Sequence, residues 1–186
     1  MSLFLVESAC WEVRRGATRP LHIAIERDNT PIAEALIATG ADVRAADKWG
    51  TTQLHIAIKR NNTAIAVALI ARGADVHAKE EGEDYLLHNA IKSGNVAIAK
   101  ALIAHGAEVN ARGRFECTPL HLAIVEGNAD IIQVLIDCGA DFRATAWGSK
   151  ICFDTIRKKF DEHVAEALIA RGMARACARE QESSMK

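Results

Sequence analysis

Gly40, Gly73, Gly106, Gly139 and Gly172 follow one another at a constant step of 33 residues. The same step joins Leu21, Leu54, Leu87, Leu120 and Phe153. It joins His22, His55, His88 and His121, with Asp154 in the fifth place, and Ala24, Ala57, Ala90 and Ala123, with Ile156 in the fifth. Leu36, Leu69, Leu102, Leu135 and Leu168 keep the same phase. Several columns in one register over five copies restrict the chain to a repeat architecture, in which each unit buries its apolar side only by stacking on its neighbours.

Within one step the residues spell two short helices and a turn. Thr118-Pro119 announces a first helix, with Thr52-Gln53 and Arg19-Pro20 as variants. Threonine accepts the orphan backbone donors at a helix start, and proline fits the first helical position. About nine residues on stand Asp28-Asn29, Asn61-Asn62, Gly94-Asn95 and Gly127-Asn128. The first member of each pair tolerates a left-handed backbone and ends helix one; the Asn after it can cap helix two. Helix two is apolar, as at Ile98, Leu102 and Ile103, and stops at the periodic glycine.

Composition narrows the function classes. Lys+Arg 23 against Asp+Glu 24 gives a net charge of -1, so no bulk field draws the chain to nucleic acid or to an anionic membrane. The longest apolar run, residues 64–71, is far shorter than the roughly 20 residues of a membrane span. Leu3-Phe4-Leu5-Val6 is interrupted by Glu7 with no basic residue before it, which does not make a secretory signal. The five cysteines form no CxxC pair, so free thiols in a reducing cytoplasm are expected. No metal, cofactor or catalytic residue is expected, because no GxSxG, HExxH or phosphate-loop pattern is present. The four in-register histidines cannot converge on a metal, since stacked helices lie about 10 Å apart and metal ligands need about 2 Å.

The Thr118-Pro119-Leu120-His121-Leu122-Ala123 stretch and the Gly-Ala-Asp-Val turns at residues 40–43 and 73–76 resemble the ankyrin repeat. Glu108 replaces Asp in the next turn. The resemblance covers residues 14–178, as repeats at about 14–46, 47–79, 80–112, 113–145 and 146–178. It implies an all-α solenoid of stacked helix-turn-helix units with β-hairpin loops. It implies that His22, His55, His88 and His121 tie their rings to loop backbone groups and hold one repeat to the next. It also implies a non-catalytic module that binds a protein partner through its concave face and loop tips, as a regulator or, in a bacterial setting, an effector delivered into a host cytoplasm. A regulatory subunit of an enzyme complex and a self-assembling structural protein are the alternatives. A monomer is expected, with no nucleic-acid or membrane partner.

The departures carry their own expectations. Tyr85-Leu86 replaces Thr-Pro in the third repeat, so that helix lacks the cap. The fifth repeat is irregular and reads as a C-terminal cap. Residues 1–13, with Leu3, Val6, Cys10 and Val13 at helical spacings, read as an N-terminal capping helix, and residues 179–186 as a flexible tail. Leu102 followed by Glu108-Val109-Asn110 resembles the asparaginyl-hydroxylation context of eukaryotic ankyrin repeats, against which stands an ordinary turn Asn.

The expected partner surface combines loop tips and first-helix ends: Lys48, Trp49, Thr51, Glu81, Asp84, Arg114, Phe115 and Trp147, with Arg27, Lys59, Arg60 and Lys92. Aromatics and Arg are the usual interface anchors; the competing reading is that each ring packs on its own loop. The third loop, Glu80 to Asp84, is acidic beside basic Lys59, Arg60 and Lys92. That pattern fits either internal compensation or a charged groove that orients a partner.

Overall fold

The computed structural model describes residues 18–47, 49–80, 84–141, 144–146, 149–150 and 153–184. The chain divides into two compact units, Met1–Leu86 and Leu87–Lys186. The capping helix expected at 1–13 lies outside the described residues.

In the first unit, α1 (Thr18–Glu26) pairs with α2 (Thr30–Ala38), and α3 (Gln53–Lys59) with α4 (Thr63–Ala71). The pairs stack in register, α1 on α3 and α2 on α4. Asn29 and Asn62 cap the second helices by accepting the N–H of Ile32 and Ile65 through their side chains. Just before them Asp28 (φ 55) and Asn61 (φ 56) take the left-handed conformation that ends each first helix. The Asn62 amide also reaches back to Asp28 Oδ1 at 2.6 Å and Thr30 Oγ1 at 2.8 Å, so a cap in one repeat ties it to the previous one. Leu21, Ile25, Ile37, Leu54, Ile58, Ile65 and Leu69 are buried, each contributing roughly 1.5–3 kcal/mol. Buried Ala24, Ala33, Ala57 and Ala66 leave room for the helices to approach closely.

The second unit contains most of α5 (Leu86–Lys92), then α6 (Val96–Ala104), a 3-10 turn (Arg114–Glu116), α7 (Pro119–Glu126) and α8 (Ala129–Asp137). A two-stranded hairpin follows, β1 (Thr145–Ala146) and β2 (Ser149–Lys150), antiparallel with Thr145 opposite Lys150. Then come α9 (Phe153–Lys159) and α10 (Glu162–Ser184). Helix α8 packs on α6, α7 and α10, and α9 packs on α7 and α10. Asn95 and Asn128 repeat the second-helix cap, and Thr118 with Pro119 starts α7.

Two expectations are corrected. The helix of the fifth repeat does not stop at Gly172; α10 runs on to Ser184, through most of the stretch expected to be a flexible tail. Where the other repeats follow the glycine with Ala and then Asp or Glu, this one continues Met-Ala-Arg-Ala-Cys-Ala, mostly strong helix formers, and Gly172 is buried inside the helix. The loops are also not uniformly hairpins. Single antiparallel bridges close Ala46 on Thr52 and Lys79 on Tyr85, but residues 114–116 form a 3-10 turn.

Burial varies along one column of the repeat. Ile65, Ile98 and Ile131 are fully buried, whereas Ile32 and Val164 in the same register are 52% and 39% exposed.

Candidate partner-binding site

The loop at 46–52 is built around Asp47. Its Oδ1 accepts the N–H of Trp49 and of Thr51, each at 2.8 Å, while its own N–H donates to the Thr51 carbonyl at 3.0 Å. Gly50 closes the turn at φ +83, and a Cβ there would stand 2.7 Å from the Lys79 carbonyl oxygen. Glycine is therefore required twice, by the dihedral and by the close approach. The loop displays Trp49, 43% exposed, above a half-buried Thr51. Arg27 and Arg60 are exposed beyond the ends of α1 and α3.

The acidic third loop behaves differently from a charged rim at the two residues described. Glu80 is buried and its Oε2 accepts from Lys59 Nζ at 2.6 Å, which is internal compensation across the repeat. Asp84, expected at the surface, is buried. It occupies the place that buried Cys117 holds one repeat later, just ahead of the first helix, where the chain turns into the stack. Lys48 and Glu81 lie outside the described residues.

The corresponding turn of the second unit has no glycine at its tip. Phe115 (φ 58) and Glu116 (φ 60) both adopt the left-handed conformation, and the Gly113 N–H closes on the Cys117 carbonyl at 2.9 Å. Phe115 is 70% exposed. The Arg114 guanidinium lies 5.9 Å from its ring centroid, and Arg112 pairs with Glu116 at 3.0 Å. The turn packs against β1. Val125, at the end of α7, is 43% exposed, and the Lys159 ammonium donates to its carbonyl. Lys92 and Lys158, one repeat step before and after Val125, are exposed in the last turns of α5 and α9. Trp147 lies outside the described residues.

A family model described as ankyrin repeats, three copies, matches residues 3–80 and 69–146. The chain belongs to the ankyrin-repeat family. No curated protein matches it. Ankyrin repeats are generally protein-interaction modules and typically non-catalytic, and each unit here is a piece of an all-α repeat solenoid. Among the described residues no helix is long and apolar enough to cross a membrane.

The histidine column divides its labour within the ankyrin repeats. His88 Nε2 donates to the Cys117 carbonyl at 2.9 Å, linking its helix to the next loop. His55 instead completes a capping box: its Nδ1 accepts from the Thr52 N–H at 3.1 Å while its own N–H donates to Thr52 Oγ1. His121 Nδ1 lies 2.7 Å from Thr118 Oγ1, and His22 Nε2 lies 3.3 Å from Glu26 Oε1. Burial holds His22, His55 and His121 below the ordinary imidazole pKa, against the upward pull of carboxylates such as Glu26 beside His22 and Glu80 beside His55. Among the described residues no three His, Cys, Asp or Glu side chains are grouped to hold a metal.

Asn110 is half-buried and bonded at both ends of its amide: Nδ2 to the Gly139 carbonyl at 3.3 Å, and Oδ1 from the Asp141 N–H at 2.8 Å. Its role in the structure is that of a turn residue joining two repeats. Sequence reasoning read Gln53 only as a variant of the Thr-Pro helix start and passed over its burial. Gln53 stands where Pro119 stands two repeats on and is fully buried, with neither side-chain amide atom hydrogen-bonded. A polar amide in a column otherwise held by Pro20, Leu86, Pro119 and Cys152 was the available signal.

Proposed function

We propose that this ankyrin-repeat chain is a non-catalytic module that binds a protein partner through loop tips and first-helix ends, with Phe115 as the anchor of its second unit. The observation that carries this reading is the combination of strain and exposure at Phe115. A left-handed backbone at a residue with a Cβ costs about 1–2 kcal/mol, and here two successive residues bear it. An exposed phenyl ring gains little from burial that would be worth roughly 1.5–3 kcal/mol. Stability alone favours neither feature; strain of this kind clusters at functional sites, where it pre-orients a side chain. An aromatic flanked by Arg112 and Arg114 has the composition of an interface anchor. The free thiols of buried Cys117 and exposed Cys138 favour a reducing setting such as the cytoplasm.

The test replaces Phe115 with a photo-crosslinking phenylalanine analogue, identifies the captured protein, and titrates it calorimetrically against the unmodified chain and Phe115→Ala. The expected loss for Phe115→Ala is more than about 2 kcal/mol of binding free energy at an unchanged melting temperature. Equal affinity for both chains would remove Phe115 from the interface.

A further inference from the structure

The geometry points to a proton-operated latch in the second repeat. His55 caps its own helix while neutral; on taking up a proton it turns to the buried Glu80 carboxylate, which releases the cap and loosens the loop that displays Trp49. The latch goes beyond the protein-binding reading and does not depend on it.

The cap and the loop share one peptide group. The Thr51 carbonyl accepts from the Asp47 N–H at 3.0 Å, and the Thr52 N–H donates to His55 Nδ1 at 3.1 Å. That peptide is held on one side by the loop and on the other by the ring. Asp47 Oδ1 in turn fixes the N–H groups of Trp49 and Thr51, each at 2.8 Å. A ring nitrogen that accepts carries no hydrogen, so the neutral ring keeps its hydrogen on Nε2. His55 Nε2 is buried and without a hydrogen bond among the described residues, and so is Glu80 Oε1. Buried polar atoms left in this way are costly, and here one is a donor and the other an acceptor. Their side chains meet on one helix face. Lys59, one turn on from His55 along α3, holds the other Glu80 oxygen at 2.6 Å.

Protonation changes what the ring can do. With a hydrogen on each nitrogen, Nδ1 becomes a donor and meets the Thr52 N–H donor to donor. Nε2–H, now charged, becomes a stronger partner for Glu80 Oε1. The ring exchanges its cap for the carboxylate, and the Thr51–Thr52 peptide loses one of its two holds. The surrounding charges set how readily this happens. Burial keeps His55 below the ordinary imidazole value of 6.5. Glu80 opposes that most strongly, Lys59 adds to it, and Asp47 and Asp75 pull upward more weakly. On the stacked α1, His22 holds the same register with Glu26 at 3.3 Å, and α4 carries no charged side chain. Asp84 is buried at the far end of the Glu80 loop. The combination is particular to this repeat. Where His55 has Lys59 and Glu80, the corresponding positions are Glu26 and Asp47 for His22, Lys92 and Gly113 for His88, and Val125 and Ala146 for His121. A cation and a carboxylate together occur only with His55.

The test is heteronuclear NMR of the full chain between about pH 7.5 and about pH 5, following the His55 ring and the Thr52 and Trp49 amides, with far-UV circular dichroism alongside. The ring and both amides should titrate together, with one midpoint below 6.5. Amide exchange at Thr52, corrected for the intrinsic effect of pH, should quicken about tenfold or more while the helical signal holds. Glu80→Gln should lower the midpoint, because the carboxylate that favours the charged ring is gone. Lys59→Gln should raise it, because a competing cation is gone. His55→Gln should abolish the change at both amides. Melts at neutral pH establish that each variant folds, and the Lys59→Gln shift decides the matter if Glu80→Gln does not. Amides that stay still, or that move with a midpoint other than that of the ring, would overturn the latch. So would a midpoint indifferent to both substitutions, or a helical signal lost at that same midpoint, which would make the event global unfolding.

Discussion

The loop at 46–52 and the turn at 112–117 hold the same place in repeats two steps apart, and each presents an aromatic at its tip, Trp49 or Phe115. Their backbones reverse by different means. In the first, the left-handed residue is Gly50, at no steric cost, and Asp47 satisfies two loop N–H groups with one carboxylate oxygen. In the second, no glycine stands at the tip. Phe115 and Glu116 carry the left-handed conformation themselves, and the ring ends up more exposed, 70% against 43%. Equivalent positions in a repeat are thus not energetically equivalent. One loop is relaxed and fitted against its neighbour, and the other holds strain at the residue it displays.

The comparison can be broken most sharply at Gly50. Gly50→Ala places a Cβ at φ +83 and 2.7 Å from a backbone carbonyl that cannot swing away, so a loss of more than about 2 kcal/mol is expected in urea unfolding. Glu116→Ala, in the same column, already has its Cβ and should cost less than about 1 kcal/mol, the value of the exposed pair with Arg112. Similar losses for the two would erase the distinction between the loops.

The helices that follow the two loops differ at their first position, and exchanging them sharpens the contrast. Gln53→Pro removes two buried, unbonded amide atoms and installs the residue suited to a helix start, so a gain of about 1–2 kcal/mol is expected in thermal or urea melts. Pro119→Gln should lose a comparable amount. A destabilised Gln53→Pro chain would mean that the buried amide is satisfied in solution.

Relieving the strained turn gives a smaller effect. Glu116→Gly should raise stability by about 0.5 kcal/mol, the left-handed cost recovered less the pair with Arg112. If Phe115 is displayed for binding, the same change should weaken partner affinity, because the ring is no longer pre-oriented. A gain in both stability and affinity would remove the functional reading of the strain.

The smallest expected effect is a pH dependence that both units share. The folded-state pKa values of His22, His55 and His121 are depressed, chiefly by burial. A base with a depressed folded pKa binds its proton more readily when unfolded, so stability is complete above the unfolded value of about 6.5 and declines as pH falls below it. Melting temperatures at about pH 7.5 and about pH 5.5 should differ accordingly, and His55→Gln should flatten part of the difference. A melting temperature that rose on acidification would contradict the sign.

Much of this fold was legible because it is written in local chemistry. An Asn can cap a helix whatever packs on it, so Asn29, Asn62, Asn95 and Asn128 identified the second helices, and each accepts the expected N–H. Gly40, Gly73, Gly106 and Gly139 all adopt the left-handed stop that their spacing suggested. The same reasoning failed at Gly172, where the helix-forming residues after it outweigh the glycine. The proposed partner surface was legible only in outline. Trp49 and Phe115 were readable as loop-tip aromatics, but the burial of Asp84 and the pairing of Glu80 with Lys59 depend on which way a loop leans against the neighbouring repeat.

The sequence by itself determined the period, the two-helix unit, the caps and the left-handed stops. These depend on hydrogen bonds and dihedrals within about four residues, and they recur every 33 residues with the residues that make them. Tertiary structure alone decided that 46–52 is a bridged loop and 112–117 a 3-10 turn. It also decided that Glu80 turns inward to Lys59 and that Phe115 projects on strained backbone. Those outcomes follow from contacts between residues about 20 to 30 positions apart, such as Gly50 against Lys79 and His88 against Cys117, each a small energy that no local pattern records.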